Sequence, residues 1–515
     1  MTKLQGWTLS GALLLLSVAT VLPCRAQNFT TLAIFEGGNG YEPDAPLVQG
    51  IDGNMYGTTR FGGYRYKQTR QAYGVVFKIS PAGNLGTAHA FCVQQNNGVC
   101  TDGNSPYGVL QPAGNFYIGT TYLGGDYDGG TVFKLAPGNI LTTLHSFSGR
   151  GTDGLNPLAG VVQATNGAFY GTTLDGGSGG GGTIFKINAQ GSFTTLYTFP
   201  CNGSDCPDGY LPLATLIQAT DGNLYGTTSA GGSSSVCYFQ QGCGTVFKIT
   251  LLGQFTRLYS FCHELSDQGA CADGASPEAA LIQGADGNFY GTTGAGGTQS
   301  CFSSSSGCGT IFRITPQGTL TTLYSFCAQK TGQGECADGE GPTGLIQATD
   351  GNFYGTAFSG GTGDEAAGVI FQFTPAGALT VLYSFNCSQG DCGDGGGPNG
   401  LLQATDGSFY GAAEGGGDLT CGNGGCGTVF RLSMGLGPFI STLPAAANIG
   451  AEVGILGTDL TGTTGVTFNS IPATFSAKLP TLILTHVPAG ATTGFVTVTT
   501  PSGTLTSNVP FHVIR

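Results

Sequence analysis

Arg60, Arg65, Lys67 and Arg70 stand within 11 residues of a chain that carries only 17 Lys and Arg. Tyr64, Tyr66 and Tyr73 are interleaved with them in the stretch RFGGYRYKQTRQAYG, Arg60 to Gly74. Guanidinium groups grip carboxylates bidentately and stack on flat faces, so this loop is the candidate ligand site, suited to anionic sugars or carboxylates. The bland alternative is a solvated loop that pairs with the chain's own acidic surface.

Other chemistry-bearing residues are sparse. The five histidines, His89, His145, His263, His486 and His512, fall in no metal or nucleophile spacing, and neither H-E-x-x-H nor G-x-S-x-G occurs. Asp364 and Glu365 are adjacent, but a carboxylate pair for glycoside cleavage needs a separation that adjacency does not supply. DYDGG, Asp126 to Gly130, is the nearest match to a calcium loop, yet calcium needs six or more oxygens. The expectation is therefore no catalytic residue, no metal and no cofactor.

The bulk numbers narrow the partners. A net charge of -13 disfavours nucleic acid, which demands clustered cations. Lys3, the apolar run LSGALLLLSVATVL (Leu9 to Leu22) and CRA (Cys24 to Ala26) read as an export signal over residues 1–26, with the mature chain starting at Gln27. Lipidation of Cys24 is the lesser alternative, because Pro23 occupies a position where a small residue is expected. No later apolar run approaches the roughly 20 residues that span a bilayer. A secreted or cell-surface monomer is expected.

Removing Cys24 leaves 16 of the 17 cysteines, in eight close pairs: Cys92/Cys100, Cys201/Cys206, Cys237/Cys243, Cys262/Cys271, Cys301/Cys308, Cys327/Cys336, Cys387/Cys392 and Cys421/Cys426. Each pair sits in one Gly- and Ser-rich loop, which predicts local disulfides formed in an oxidising compartment. Zinc fits poorly, since the spacings vary and no histidine is consistently near.

The elements that must position these loops are written in a repeat. DGNFYGTT (Asp286 to Thr293) has near-copies whose tyrosines are Tyr56, Tyr117, Tyr170, Tyr225, Tyr290, Tyr354 and Tyr410, at steps of 53 to 65 residues. With 93 glycines punctuating β-branched and aromatic runs, the pattern is all-β. Each period holds four strand-like runs: in the fifth, AALIQGA, NFYGTTG, GTIFRIT and TLTTLYSF. Four antiparallel strands per period make a propeller blade. The last copy, GTVFRLS (Gly427 to Ser433), lacks its fourth strand, and FTTLAIF (Phe29 to Phe35) supplies one at the other end of the chain. The expectation is a seven-bladed β-propeller over residues 27–433, closed by its N-terminal strand.

The pattern LIQATDGNFYGTT…GTVFKIT…TTLYSF resembles the GloVer tandem repeat of exported bacterial proteins. That resemblance implies a surface or secreted location and a propeller-like fold, and it carries no functional residue. PFISTLPAAANIGAEVGILGTDLTGTTGVTFN with VPAGATTGFVTVTTPSG resembles an IPT/TIG domain, an immunoglobulin-like β-sandwich, over residues 437–515.

Residues shared by all seven copies serve packing and turns, so a site belongs where copies differ. Antiparallel order puts the short turns on one face and the cysteine-bearing loops on the other, which is the predicted functional face. The expected function is non-enzymatic binding or adhesion, with an extracellular polysaccharide or a surface protein as partner. The rival readings are an extracellular carbohydrate-active enzyme assembled from several blades, and a purely structural envelope or matrix protein. A cluster of carboxyls around a central channel separates the enzyme from the other two.

Overall fold

The computed structural model describes residues 27–514 apart from 64–71, 204, 234–236, 238–241, 266–269, 302–306, 364, 388–391 and 423. The chain is all-β: the one helical element among the described residues is a three-residue 3-10 turn, Leu419–Cys421.

Seven mainly antiparallel sheets follow the seven repeats. In the fifth, Ile282–Gln283, Phe289–Thr293, Thr310–Ile314 and Leu320–Ser325 pair in sequence order. The seventh sheet takes its outer strand from the other end of the chain, with Asn28 opposite Ser433 and Ile34 opposite Thr428.

The repeated string explains itself locally. Asp286 accepts hydrogen bonds from Asn288 N (3.1 Å) and from the Tyr290 hydroxyl (2.9 Å), and the same Asp–Tyr bond recurs at Tyr56, Tyr225, Tyr354 and Tyr410. The turn is longer than the two-residue hairpin that Asp-Gly suggests. Gly287 N donates to Gly284 O, and only Gly287 of the pair has positive φ (+82°), because the Asp286 side chain caps the turn instead. Gly291 is required by a close approach: a Cβ there would lie 2.6 Å from the Phe312 ring of the neighbouring strand. The tyrosine ring packs on the next repeat, as Tyr290 does on Phe353 with centroids 4.4 Å apart. These tyrosines are scaffold between sheets.

Neighbouring sheets are also sewn together by polar groups. Gln283 Oε1 accepts from Thr220 N of the preceding repeat (2.9 Å), and Gln49 of the first repeat accepts from Thr405 N of the seventh (2.9 Å). A second seam runs through the corner before each first strand. Ser105, Ser276 and Gly341 donate backbone N–H groups to Tyr73, Cys243 and Cys308 of the preceding repeat, and Glu42 N donates to Cys426 O.

The cysteines do more than the loop staples that the sequence suggests. Each predicted pair is joined: Cys92–Cys100, Cys201–Cys206, Cys237–Cys243, Cys262–Cys271, Cys301–Cys308, Cys327–Cys336, Cys387–Cys392 and Cys421–Cys426. Cys100, however, ends a short strand, Val99–Cys100, rather than lying in irregular loop, and Cys100 and Cys206 are buried. The backbone carbonyls of Cys100, Cys206 and Cys392 each accept two glycine N–H groups. These come from Gly103 and Gly125, from Gly209 and Gly232, and from Gly395 and Gly417. One glycine of each set is three residues on, and the other follows the second strand of the same repeat. The carbonyl therefore ties the stapled loop to its sheet, and burial without those partners would leave it unsatisfied.

Beyond the repeats, two four-stranded sheets share one core containing Ile455, Val466, Phe468, Ile483, Val496 and Phe511. This sandwich meets the turns of the first and seventh repeats. Thr481 Oγ1 donates to Ile51 O (2.9 Å), and the Thr458 and Thr405 hydroxyls lie 3.1 Å apart.

Candidate functional site

The corner Tyr41-Glu42-Pro43-Asp44 is where the repeats stop matching. The residue before the proline has positive φ in every copy, +54° at Glu42 and +57° at Leu211, a conformation costly for residues with a Cβ. The residue after the proline is Asp44, Tyr107, Leu158, Leu213, Glu278, Thr343 and Asn399 in turn. The residue that ends the matching run of the second strand also differs in every copy: it is Arg60 in the first repeat, Tyr122 in the second and Glu414 in the seventh.

At the junction of repeats seven, one and two these divergent residues converge. Arg60 is 3.5 Å from the Glu42 carboxylate and lies over the Phe61 and Tyr107 rings at 4.5 and 4.9 Å. Tyr107 meets Tyr122 edge to face at 5.6 Å. Asn399 donates its side-chain amide to the Asp44 carbonyl.

Three carboxyls share this place. Asp44 is pushed from 3.8 up to about 8, by burial first and then by the negative Glu414 and Glu42. Its Oδ1 is buried with no hydrogen-bond partner among the described residues. Burial also raises Glu414 and Glu42 above the ordinary 4.5, against the pull of Arg60. Burial lifts the Tyr107 hydroxyl to about 12. Burial and its acidic neighbours thus favour the neutral form of Asp44. The three carboxyls do not converge as metal ligands do. Among the described residues the only such convergences are of sulfurs, Cys237, Cys243, Cys262 and Cys271 in one and Cys308, Cys327 and Cys336 in the other. All of these are bound in disulfides and offer no thiolate.

Of the candidate ligand loop, Tyr64, Arg65, Tyr66, Lys67 and Arg70 lie outside the described residues. Arg60 and Tyr73 are described, and both turn inward: Arg60 to Glu42, and Tyr73 to the core around Phe91 and Leu110. His89 and His145, which fall in no metal or nucleophile spacing, each sit beside an aspartate. They lie 3.4 Å from Asp102 and 3.2 Å from Asp153, where other repeats place a tyrosine hydroxyl on the equivalent Asp, as Tyr259 does on Asp273 at 2.7 Å. Asp364 is outside the described residues. Asp128, in the calcium-like loop, accepts from Gly124 N at 2.9 Å.

Sequence reasoning missed Asp44, Glu42 and Glu414. Comparing each copy's residue after the proline finds Asp44, and the same comparison at the end of the second strand finds Glu414.

Solved structures resemble the chain at low identity. A fungal alcohol oxidase of the AA5 family in complex with copper is 13% identical, with TM-score 0.48, covering 96% of this chain and all of that one. A putative glucose dehydrogenase from Thermus thermophilus is 14% identical, with TM-score 0.37, covering 79% of this chain and all of that one. A luciferin-regenerating enzyme is 10% identical, with TM-score 0.38, covering 80% of this chain and 98% of that one. Such likeness assigns no reaction. The expectation from the sequence is non-enzymatic binding or adhesion, whereas these three similar structures are enzymes. Arg60, part of the loop that motivated the expectation, pairs with Glu42 within a group of three carboxyls.

No curated protein matches the chain in sequence. The repeat itself is matched: the model of the Gloeobacter/Verrucomicrobia repeat aligns over residues 4–239, 108–337 and 304–463, and the chain belongs to that family.

Proposed function

We propose that this protein is an exported enzyme that cleaves glycosidic bonds by acid–base catalysis, with its site at the junction of repeats seven, one and two. The carrying observation is Asp44, a carboxyl pushed up to about 8 beside two further carboxyls and one guanidinium. The seven sheets are the blades of a propeller closed by Asn28–Ile34, and the first strands line its central well. The sandwich is an IPT/TIG-like, immunoglobulin-fold module over residues 437–515 that braces the opposite face. The signal is removed after Ala26, and the paired cysteines suit an oxidising exterior.

In a single displacement, Asp44 gives its proton to the glycosidic oxygen as that oxygen leaves the anomeric carbon. Water adds its oxygen to the same carbon and yields a proton to the Glu414 carboxylate. Proton exchange with solvent then restores both groups. Glu42 pairs with Arg60, which lies over the Tyr107 ring. An acid works best when its pKa lies near the working pH, which Asp44 satisfies and an ordinary aspartate does not.

The test is hydrolysis of a panel of aryl glycosides and polysaccharides by the wild type, Asp44→Asn and Glu414→Gln. Rate losses of about 100-fold or more in both variants are expected. Equal rates in all three proteins would remove the assignment.

A further inference from the structure

The row of residues after the prolines, to which Asp44 belongs, is uneven in character. In repeats one, five, six and seven the residue after the proline is Asp44, Glu278, Thr343 or Asn399, all polar. In repeats three and four it is Leu158 and Leu213, and these are joined by Leu174, which ends the second strand of repeat three, and Leu211, which precedes the proline of repeat four. All four leucines are half-buried, and none belongs to a core cluster. A soluble protein rarely leaves four such side chains unclaimed in neighbouring positions without a use for them.

Their adjacency comes from hydrogen bonds between repeats. Thr58 Oγ1 donates to Gly108 O (3.4 Å), Thr120 Oγ1 to Ala159 O (2.8 Å) and Thr172 Oγ1 to Pro212 O (3.1 Å). Each bond fixes the corner of one repeat against the second strand of the repeat before it. The row therefore runs Asp44, Tyr107, Leu158, Leu213 without a break. Tyr107 bridges its two halves, since one side of its ring takes Arg60 and the ring packs nearly perpendicular to Tyr122.

The charge on the polar side is settled by pairing. The Arg60 guanidinium is answered by Glu42 at 3.5 Å and by the nearby Glu414, so one cation faces more than one anion. An anionic ligand is repelled there, which reverses the anionic-sugar preference expected from the basic loop.

We infer that the site takes neutral glycosides bearing an apolar aglycone, the sugar hydroxyls on the polar arc and the aglycone on Tyr107, Leu158 and Leu213. This rests on the acid–base reading above and names its substrate class. Tyr107 offers a ring face to the first atoms of the aglycone, and the leucines cover its outer part. A glycosidic oxygen at the boundary between the halves lies next to Asp44, where the proton is held.

Calorimetric titration of the full chain, with phenyl and methyl β-D-glucosides and β-D-galactosides and with phenyl β-D-glucuronide, tests the inference. Phenyl glycosides should bind about tenfold or more tightly than their methyl counterparts, and the glucuronide more weakly than the neutral phenyl glycosides. Leu158→Asn and Leu213→Asn should each erase most of the phenyl preference, while Leu252→Asn, at a position 89% exposed on a remote turn, should leave it intact. Unchanged melting temperatures in the two well variants would show that the fold survives. Turnover of glycosides with no phenyl preference, or a preference that survives both well variants, overturns this inference and leaves the acid–base reading standing. Absence of both binding and turnover for every glycoside overturns the two together.

Discussion

Asn399 of the last repeat donates its side-chain amide to the backbone carbonyl of Asp44 in the first. Asp44 is thus held by a residue 355 positions away in sequence. The same seam carries Glu42 N on Cys426 O and Gln49 on Thr405. The candidate site lies on the seam between the first and last repeats, so whatever loosens that seam also displaces Asp44.

Phe29 tests that link from the N-terminal strand. Its ring stacks on Tyr383 at 3.7 Å and meets Phe385 and Phe430 at 5.5 Å. Phe29→Ala should cost about 2–3 kcal/mol, read as a lower denaturation midpoint, and should lower activity with it. A stability loss with full activity would separate closure from the site.

Asp44 should also show itself as a liability. Its carboxyl titrates at 3.8 when unperturbed and at about 8 in place, so the folded chain binds a proton that the unfolded chain releases. Stability from this group therefore falls as pH rises from about 4 to about 8. Asp44→Asn, which mimics the neutral acid, should raise the melting temperature at pH 8 and change it little at pH 4.

Arg60→Gln should leave the carboxyls without the cation that lowers Glu42 and Glu414. Both should then titrate higher. The acid limb of the pH–rate profile should move to higher pH, and an unmoved limb would show that Glu414 is not the base.

Removing the Cys262–Cys271 bridge, nine residues apart in sequence, with Cys262→Ser and Cys271→Ser together should cost about 2–3 kcal/mol in loop-closure terms. The check is a denaturation midpoint under oxidising conditions, where the wild type keeps all its bridges.

Much of the architecture was legible because repetition states it seven times. The Gly291–Phe312 contact needs the same residues in each copy, the Tyr290–Asp286 bond recurs in five of the seven, and the fourth strand absent after Ser433 points to Phe29. Cysteine spacing gave the pairing, but not the glycine N–H groups gathered on the carbonyls of Cys100, Cys206 and Cys392, since backbone bonds of that kind leave no mark on residue type. The site was less legible, because Asp44 and Glu414 are single departures inside otherwise matching strings. An inserted loop such as Arg60 to Gly74 draws the eye by composition, whereas a lone carboxyl after a proline does not. Asp44 Oδ1 is buried where the first and last repeats meet, and no local pattern encodes it. For His89 and His145 no spacing pointed to a role, and their pairing with Asp102 and Asp153 required the structure.

The pH dependence of glycoside hydrolysis by the wild type and Asp44→Asn tests the central claim most directly. The account predicts a wild-type rate that falls above about pH 8, as Asp44 loses its proton, and at least about a 100-fold loss in Asp44→Asn across the range. A wild-type rate that holds through about pH 9, with Asp44→Asn matching it, would contradict it.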